Sequence, residues 1–144
     1  MDYVFDIDGT LADITHRRKY VASKPKNWKA FNAGMSLDVP NVPVVQMCKL
    51  LHTQGHTIVL CSGRGSEQRG VTETWLAKHG ILYHALYMRA EKDYRADYIV
   101  KEELLDQLLN DGYNPITVFD DRDQVVEMWR RRGLTCFQVA PGNF

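Results

Sequence analysis

Two aspartates, Asp6 and Asp8, close an apolar run and are followed at once by Gly9 and Thr10. Alternate residues of a strand point to one face. The two carboxylates therefore converge on one site if strand geometry persists through them, with Ile7 turned the other way into packing. Carboxylates held this close repel each other unless a cation or a shared proton lies between them. A hard, oxygen-seeking cation such as Mg²⁺ meets that need. Gly9 permits a tight exit from the strand, and Thr10 offers a hydroxyl there. A lone Asp-x-Asp is usually a surface turn. The whole string Asp6-Ile7-Asp8-Gly9-Thr10-Leu11, directly after an apolar strand, favours the chemical reading.

Two more polar clusters follow apolar runs. Residues 57–61 read as a buried strand by their β-branched content and lead into Ser62-Gly63-Arg64-Gly65. That small-residue turn, ahead of a helix, suits phosphate through backbone N–H groups and a bidentate guanidinium. Residues 116–119 end in Asp120-Asp121-Arg122-Asp123, again carboxylates at the C-terminal end of an apolar strand. Lys101 is either an ordinary solvated lysine or a reach into the site. His16, Arg17, Arg18 and Lys19 form either a basic lip that grips phosphate or a solvated face, and composition alone favours the solvated face. Trp28 and Phe31 have the chemistry to stack on a base, although packing a small loop onto the core is the commoner use of such residues.

The elements that must position these groups alternate. Strands are expected at 1–5, 57–61, 84–88, 116–119 and 135–139, and helices at 43–54, 67–79, 97–110 and 124–132. The expected core-facing residues are Val44, Met47, Cys48 and Leu51, then Val71, Trp75 and Leu76. They continue with Val100, Leu104, Leu105, Leu108 and Leu109, then Val125, Val126 and Trp129. Residues 12–20 read as a short helical turn. Residues 23–42 read as an irregular insert at the pocket mouth, too short to be a domain. The alternation implies an α/β fold, a Rossmann-like, mainly parallel five-stranded sheet with helices on both faces. Ligands of such sheets bind beyond the carboxyl ends of the strands, and all three polar clusters fall on that rim.

In order, Asp6-Ile7-Asp8-Gly9-Thr10, Ser62, Lys101 and Asp120-Asp121 resemble the signatures of the haloacid dehalogenase superfamily of phosphohydrolases. Ser62-Gly63-Arg64, residues 95–103 and residues 120–131 look like the 3′-phosphatase domain of bacteriophage polynucleotide kinase–phosphatases, and Cys136-Phe137-Gln138-Val139-Ala140 is also similar. The insert 23–42 shows the least likeness. The resemblance implies a haloacid dehalogenase fold with a minimal cap, and a Mg²⁺-dependent phosphomonoesterase that clears 3′-phosphates from polynucleotide (DNA or RNA) ends. It implies Asp6 as the nucleophile that becomes an aspartyl-phosphate and Asp8 as general acid and base. Asp6, the Asp8 main-chain carbonyl and Asp120 would hold the metal, with Asp121 in support. Thr10, Ser62, Gly63, Arg64 and Lys101 would bind the phosphoryl group. Arg17 joins them because it lies eleven residues after Asp6, as a functional arginine does in the phage domain. Asp97 would position Lys101 or Arg64, its bland alternative being a surface ion pair with Lys101.

The chain has 144 residues, 18 basic and 18 acidic side chains, and no net charge. That suits one domain, 1–144, and argues against an extended nucleic-acid footprint, while leaving room for binding a strand end. No run is apolar enough to span a membrane. Three scattered cysteines fit neither a disulfide framework nor a zinc site. With no basic leader, a cytoplasmic setting is expected, the host cytoplasm for a phage protein. No Gly-x-x-x-x-Gly-Lys-Ser/Thr loop occurs, so no kinase domain is expected here, and a separate kinase or ligase becomes a candidate partner. The alternatives are a nucleotidase acting on free nucleoside monophosphates and a non-catalytic subunit that binds nucleic-acid ends.

Overall fold

The computed structural model describes all 144 residues. In chain order the elements are β1 (Asp2–Phe5), β2 (Ala12–Asp13), α1 (Thr15–Arg18), α2 (Trp28–Ala33), β3 (Val39–Pro40) and α3 (Val42–Thr53). They continue with β4 (Thr57–Gly65), α4 (Arg69–Lys78), β5 (Ala85–Arg89), α5 (Asp97–Asn110), β6 (Thr117–Asp120), α6 (Asp123–Arg131) and β7 (Thr135–Gln138). Five strands form one parallel sheet in the order β5-β4-β1-β6-β7. The chain runs outward from β1 to one edge, then returns through α5 to build the other half. The order therefore reverses at β1, whose carboxyl end carries Asp6.

Strand alternation sorts the core. Phe5, Ile58 and Leu60 pack on one face with Val44, Val45 and Cys48 of α3 and Trp75 and Leu76 of α4. Their sequence neighbours Val4, Val59 and Cys61 pack on the other face with Val100, Leu104, Leu105 and Leu108 of α5 and Val125, Val126, Met128 and Trp129 of α6. Helices thus cover both faces as the alternation predicts. At about 25 cal/mol per Å² of apolar surface, either layer is worth many times the net stability of a small domain.

Several local expectations change. The insert 23–42 is not irregular. It contains α2, a 3₁₀ turn at Met35–Leu37 and β3, which pairs antiparallel with β2. Asn27 caps α2 by accepting the Ala30 N–H at 3.1 Å, and Phe31 seats the helix on the core. Residues 62–65 are not a turn. They extend β4, with a register shift against β5 between Ser62 and Gly65. The inward stripe of α3 uses Val45 where periodicity pointed to Met47, which is exposed, and Leu109 faces outward at the end of α5. Val71 is only partly covered, and the buried neighbour on that turn of α4 is Thr72.

Candidate active site

Beyond Phe5 the chain bonds to β6 once more, Asp6 N–H to the Phe119 carbonyl at 2.9 Å, and then turns out of the sheet. Ile7 is fully buried in the core as expected. Gly9 has φ +83°, and any Cβ there would collide with the Asp121 carboxylate. This glycine serves both the turn and the close approach of a second loop.

The two aspartates of the first motif enter different networks. Asp6 is 4% exposed. Its Oδ2 accepts the Thr10 hydroxyl at 2.8 Å, and its Oδ1 accepts Lys101 Nζ at 2.7 Å. Lys101 comes from α5 and is buried. It also donates to Asp120 Oδ2 at 3.0 Å, which receives the Trp129 indole N–H at 3.1 Å as well. Asp120 Oδ1 accepts the Asp121 N–H at 2.8 Å. Carboxylate oxygens of Asp6, Asp120 and Asp121 lie within 4.8 Å of one another. One buried ammonium faces three carboxylates.

That imbalance is visible in proton affinities. Burial, then the Asp120 charge, push the Asp6 carboxyl well above the usual carboxylate range, against the pull of Lys101. Burial and the Asp120 charge push Asp121 up to about 6. Burial alone would lower the Lys101 ammonium, but Asp120 and Asp6 outweigh it and raise it well above its ordinary value. Asp121 Oδ2 is buried and has no hydrogen-bond partner, with the Arg18 guanidinium 3.8 Å away. An orphaned carboxylate oxygen beside two others is the donor set a hard divalent cation takes, so these residues fit Mg²⁺.

Asp8 turns toward the arginines. Its Oδ1 accepts Arg64 Nη2 at 2.6 Å, Arg64 Nε at 3.0 Å and Arg17 Nη2 at 2.9 Å. Burial would raise this carboxyl, but the Arg64 and Arg17 charges outweigh it and hold it below its ordinary value. Both guanidiniums also share Asp38, which is 4% exposed. Arg17 Nε and Nη2 each reach it at 2.8 Å, and Arg64 Nη2 at 3.0 Å. His16 Nε2 lies 2.6 Å from the same carboxylate. Arg17 packs over the Phe31 ring, 4.4 Å from its centroid, and Arg64 donates to the Thr72 hydroxyl at 2.9 Å. The solvated-face reading fails for Arg17. It is fully buried, while His16, Arg18 and Lys19 of that run stay at the surface.

The remaining predicted residues also gather here. Ser62 is buried and its Oγ accepts the Arg64 N–H at 3.1 Å. Gly63 lies against Asp97, whose carboxylate a Cβ would strike, and its carbonyl accepts Arg89 Nε at 2.8 Å. Asp97 pairs with neither Lys101 nor Arg64. It accepts Arg89 Nη2 at 3.2 Å and faces Arg122 Nη1 at 3.7 Å, since α5 turns Lys101 inward and leaves Asp97 at the rim. Asp38, Trp129, Thr72 and Arg89 were missed as site residues. Trp129 stood out only as a core aromatic, and nothing in the sequence singles out an aspartate inside the insert.

A parallel sheet with catalytic-type carboxylates on its carboxyl rim is the architecture of the haloacid dehalogenase-like hydrolases. One of these, from Streptococcus pneumoniae, superimposes with a TM-score of 0.68 over 95% of this chain and 83% of its own at 11% identity, which speaks for the fold alone. A family model described as the polynucleotide kinase PNKP phosphatase domain matches residues 2–144, and the chain belongs to that family. A solved structure of a Pnkp1/Rnl/Hen1 complex contains a chain 40% identical, with a TM-score of 0.84, over 99% of this chain and 47% of that one. A putative bifunctional polynucleotide kinase/RNA ligase of Autographa californica nuclear polyhedrosis virus is 33% identical over 94% of this chain and 19% of its own length. The chain thus spans less than half of either relative. No helix is long and apolar enough to cross a membrane.

Proposed function

We propose that this chain is a single phosphatase domain that removes the 3′-phosphate from polynucleotide ends by way of an aspartyl-phosphate on Asp6. The observation that carries the reading is the division of the two motif aspartates. Asp6 lies in a lysine-bridged carboxylate cluster, and Asp8 lies under two guanidiniums. Groups of one type placed in unlike environments take unlike roles.

Asp6 attacks phosphorus, and the bond from phosphorus to the sugar oxygen breaks. Asp8 protonates that oxygen as it leaves, then takes a proton from the water that attacks the phosphoaspartate. Release of inorganic phosphate returns both groups to their starting state. The phosphoryl group draws on Arg17 and Arg64 for charge balance. Its negative charge loosens their hold on Asp8 and raises the proton affinity of Asp8 when a proton is needed. Thr10 and Lys101 fix the attacking carboxylate. Ser62 and Gly63 offer a hydroxyl and main-chain groups to the phosphoryl oxygens. Asp97 acts at a distance, holding Arg89 and through it Gly63.

Asp6, the Asp8 main-chain carbonyl and Asp120, with Asp121 beside them, would hold Mg²⁺, which supplies charge neutralisation at the phosphoryl oxygens. The relatives' association with kinase and ligase activities supports a role in end repair, in company with a kinase or ligase.

The test is phosphate release, with Mg²⁺, from a 3′-phosphorylated oligonucleotide, its 5′-phosphorylated twin and a free 3′-mononucleotide. Release from the first alone or chiefly is expected. Preference for the mononucleotide would move the function to nucleotide metabolism. Asp6→Asn should abolish release with the fold intact, and retention of wild-type turnover would remove the nucleophile assignment.

A further inference from the structure

The zero net charge of the chain conceals a strong asymmetry. Residues 14–37 contain Arg17, Arg18, Lys19, Lys24, Lys26 and Lys29 and no acidic residue. All 18 acidic side chains lie elsewhere, against 12 of the 18 basic ones. A polyanion is repelled by the bulk of this molecule and drawn to this segment. Within it, residues 22–29 form an unbroken exposed run. Its lysines, with Lys19, make no ion pair, whereas Arg89, Arg95, Arg131 and Arg132 are all paired with carboxylates.

Trp28 lies in that run and is 54% exposed, while Trp75 and Trp129 are buried. Its ring meets Phe31 edge-on at 5.6 Å, and Phe31 in turn underlies Arg17, which holds Asp8. Lys26 Nζ lies 5.5 Å from the Trp28 centroid. A base stacked on this ring would bring its adjoining phosphate beside an ammonium. At the other end of the segment Arg18 stands 3.8 Å from Asp121. The segment therefore begins at the carboxylate site and leads outward to a braced, exposed indole.

Resting on the reading proposed above, we infer that Trp28 with Lys24, Lys26 and Lys29 is a binding surface for single-stranded nucleic acid, engaging the nucleotides that precede the 3′-phosphate. Trp28 stacks on a base and the lysines follow the backbone. An indole platform beside ammonium groups that no carboxylate pairs is the chemistry that binds strands without reading their sequence. This surface makes the substrate a strand rather than a nucleotide.

The experiment compares the wild type, Trp28→Ala, and the triple variant Lys24→Gln, Lys26→Gln, Lys29→Gln. Substrates are a 3′-phosphorylated oligothymidylate and 3′-thymidine monophosphate. The ratio of kcat/KM between long and short substrates should fall about tenfold in Trp28→Ala. The slope of log kcat/KM against log salt for the oligonucleotide should become shallower in the triple variant. An equal loss on both substrates, or an unchanged ratio, overturns the inference. Should the wild type release phosphate from neither substrate, the phosphatase reading falls. The surface is then judged by titrating unphosphorylated oligothymidylate and following indole emission. Quenching in the wild type that Trp28→Phe abolishes sustains it, and no quenching overturns it.

Discussion

Replacing Asp38 by Asn isolates the electrostatic design of the site, because the side chain keeps its shape and loses its charge. The buried Asp38 carboxylate receives Arg17 through two nitrogens and Arg64 through one, and both guanidiniums are otherwise balanced only by Asp8. In the variant two buried cations share one carboxylate, and the new amide points a donor at donors. Breaking a buried pair from one side costs about 3–5 kcal/mol. At roughly 3 °C per kcal/mol for a domain of this size, the melting midpoint should fall by roughly 10 °C. Turnover should fall by about a hundredfold, since the guanidiniums lose the group that fixes their distance from Asp8. Circular dichroism melts and phosphate release on the same preparations read both effects. Asp106→Asn is the control. Its carboxylate pairs with Arg132 at 2.7 Å but its side chain is 61% exposed, and surface pairs of this kind are worth about 1 kcal/mol or less. If Asp38→Asn melts within the error of Asp106→Asn and turns over normally, the hub reasoning is wrong.

Three further outcomes are expected. Mg²⁺ should raise the wild-type melting midpoint, by about 2.7 kcal/mol of stability at a hundredfold excess over its dissociation constant, and Asp120→Asn should lose that gain. A midpoint indifferent to Mg²⁺ would remove the cation from the site. Burial pushes the Cys48 and Cys136 thiols up to about 12 and raises Cys61 as well. The native protein should therefore resist iodoacetamide at pH 8, with three thiols reacting only in urea, and rapid native labelling would contradict the packing. Hydrogen bonds from Arg95 hold Asp93 down at about 2. Its contribution is present above the unfolded value near 3.9 and is lost as pH falls through about 2. Asp93→Asn should flatten the acid limb of stability against pH, and an unchanged limb would show the pair to be inert.

The carboxylate rim was legible because its signals are local. Asp6 and Asp8, Ser62 and Arg64, and Asp120 and Asp121 each follow an apolar run, and β-α alternation brings such ends together whatever the intervening detail. Asp38 was not legible. Its partners lie 21 and 26 residues away, and its burial depends on the fold of a segment whose six-residue helix is too short to announce itself by periodicity. The Met47 and Val45 exchange arose because consecutive apolar residues in α3 fit two adjacent stripes. Asp97 was placed on the right helix, but helical spacing ties it to Lys101 only if both point outward. The charge total is silent in another way, since a sum over the chain says nothing about where the charges lie.

Trp75 donates its indole N–H to the Asp38 carbonyl at 2.8 Å, while Thr72, one turn earlier on α4, holds Arg64. For anyone building chimaeras, the loop at 23–42 is then not an exchangeable cassette. A graft from a distant relative would leave a buried indole without its acceptor, at a cost of about 1–3 kcal/mol before any arginine is misplaced. The transferable unit is the loop together with the inner face of α4, two stretches of chain that inheritance has to change in step.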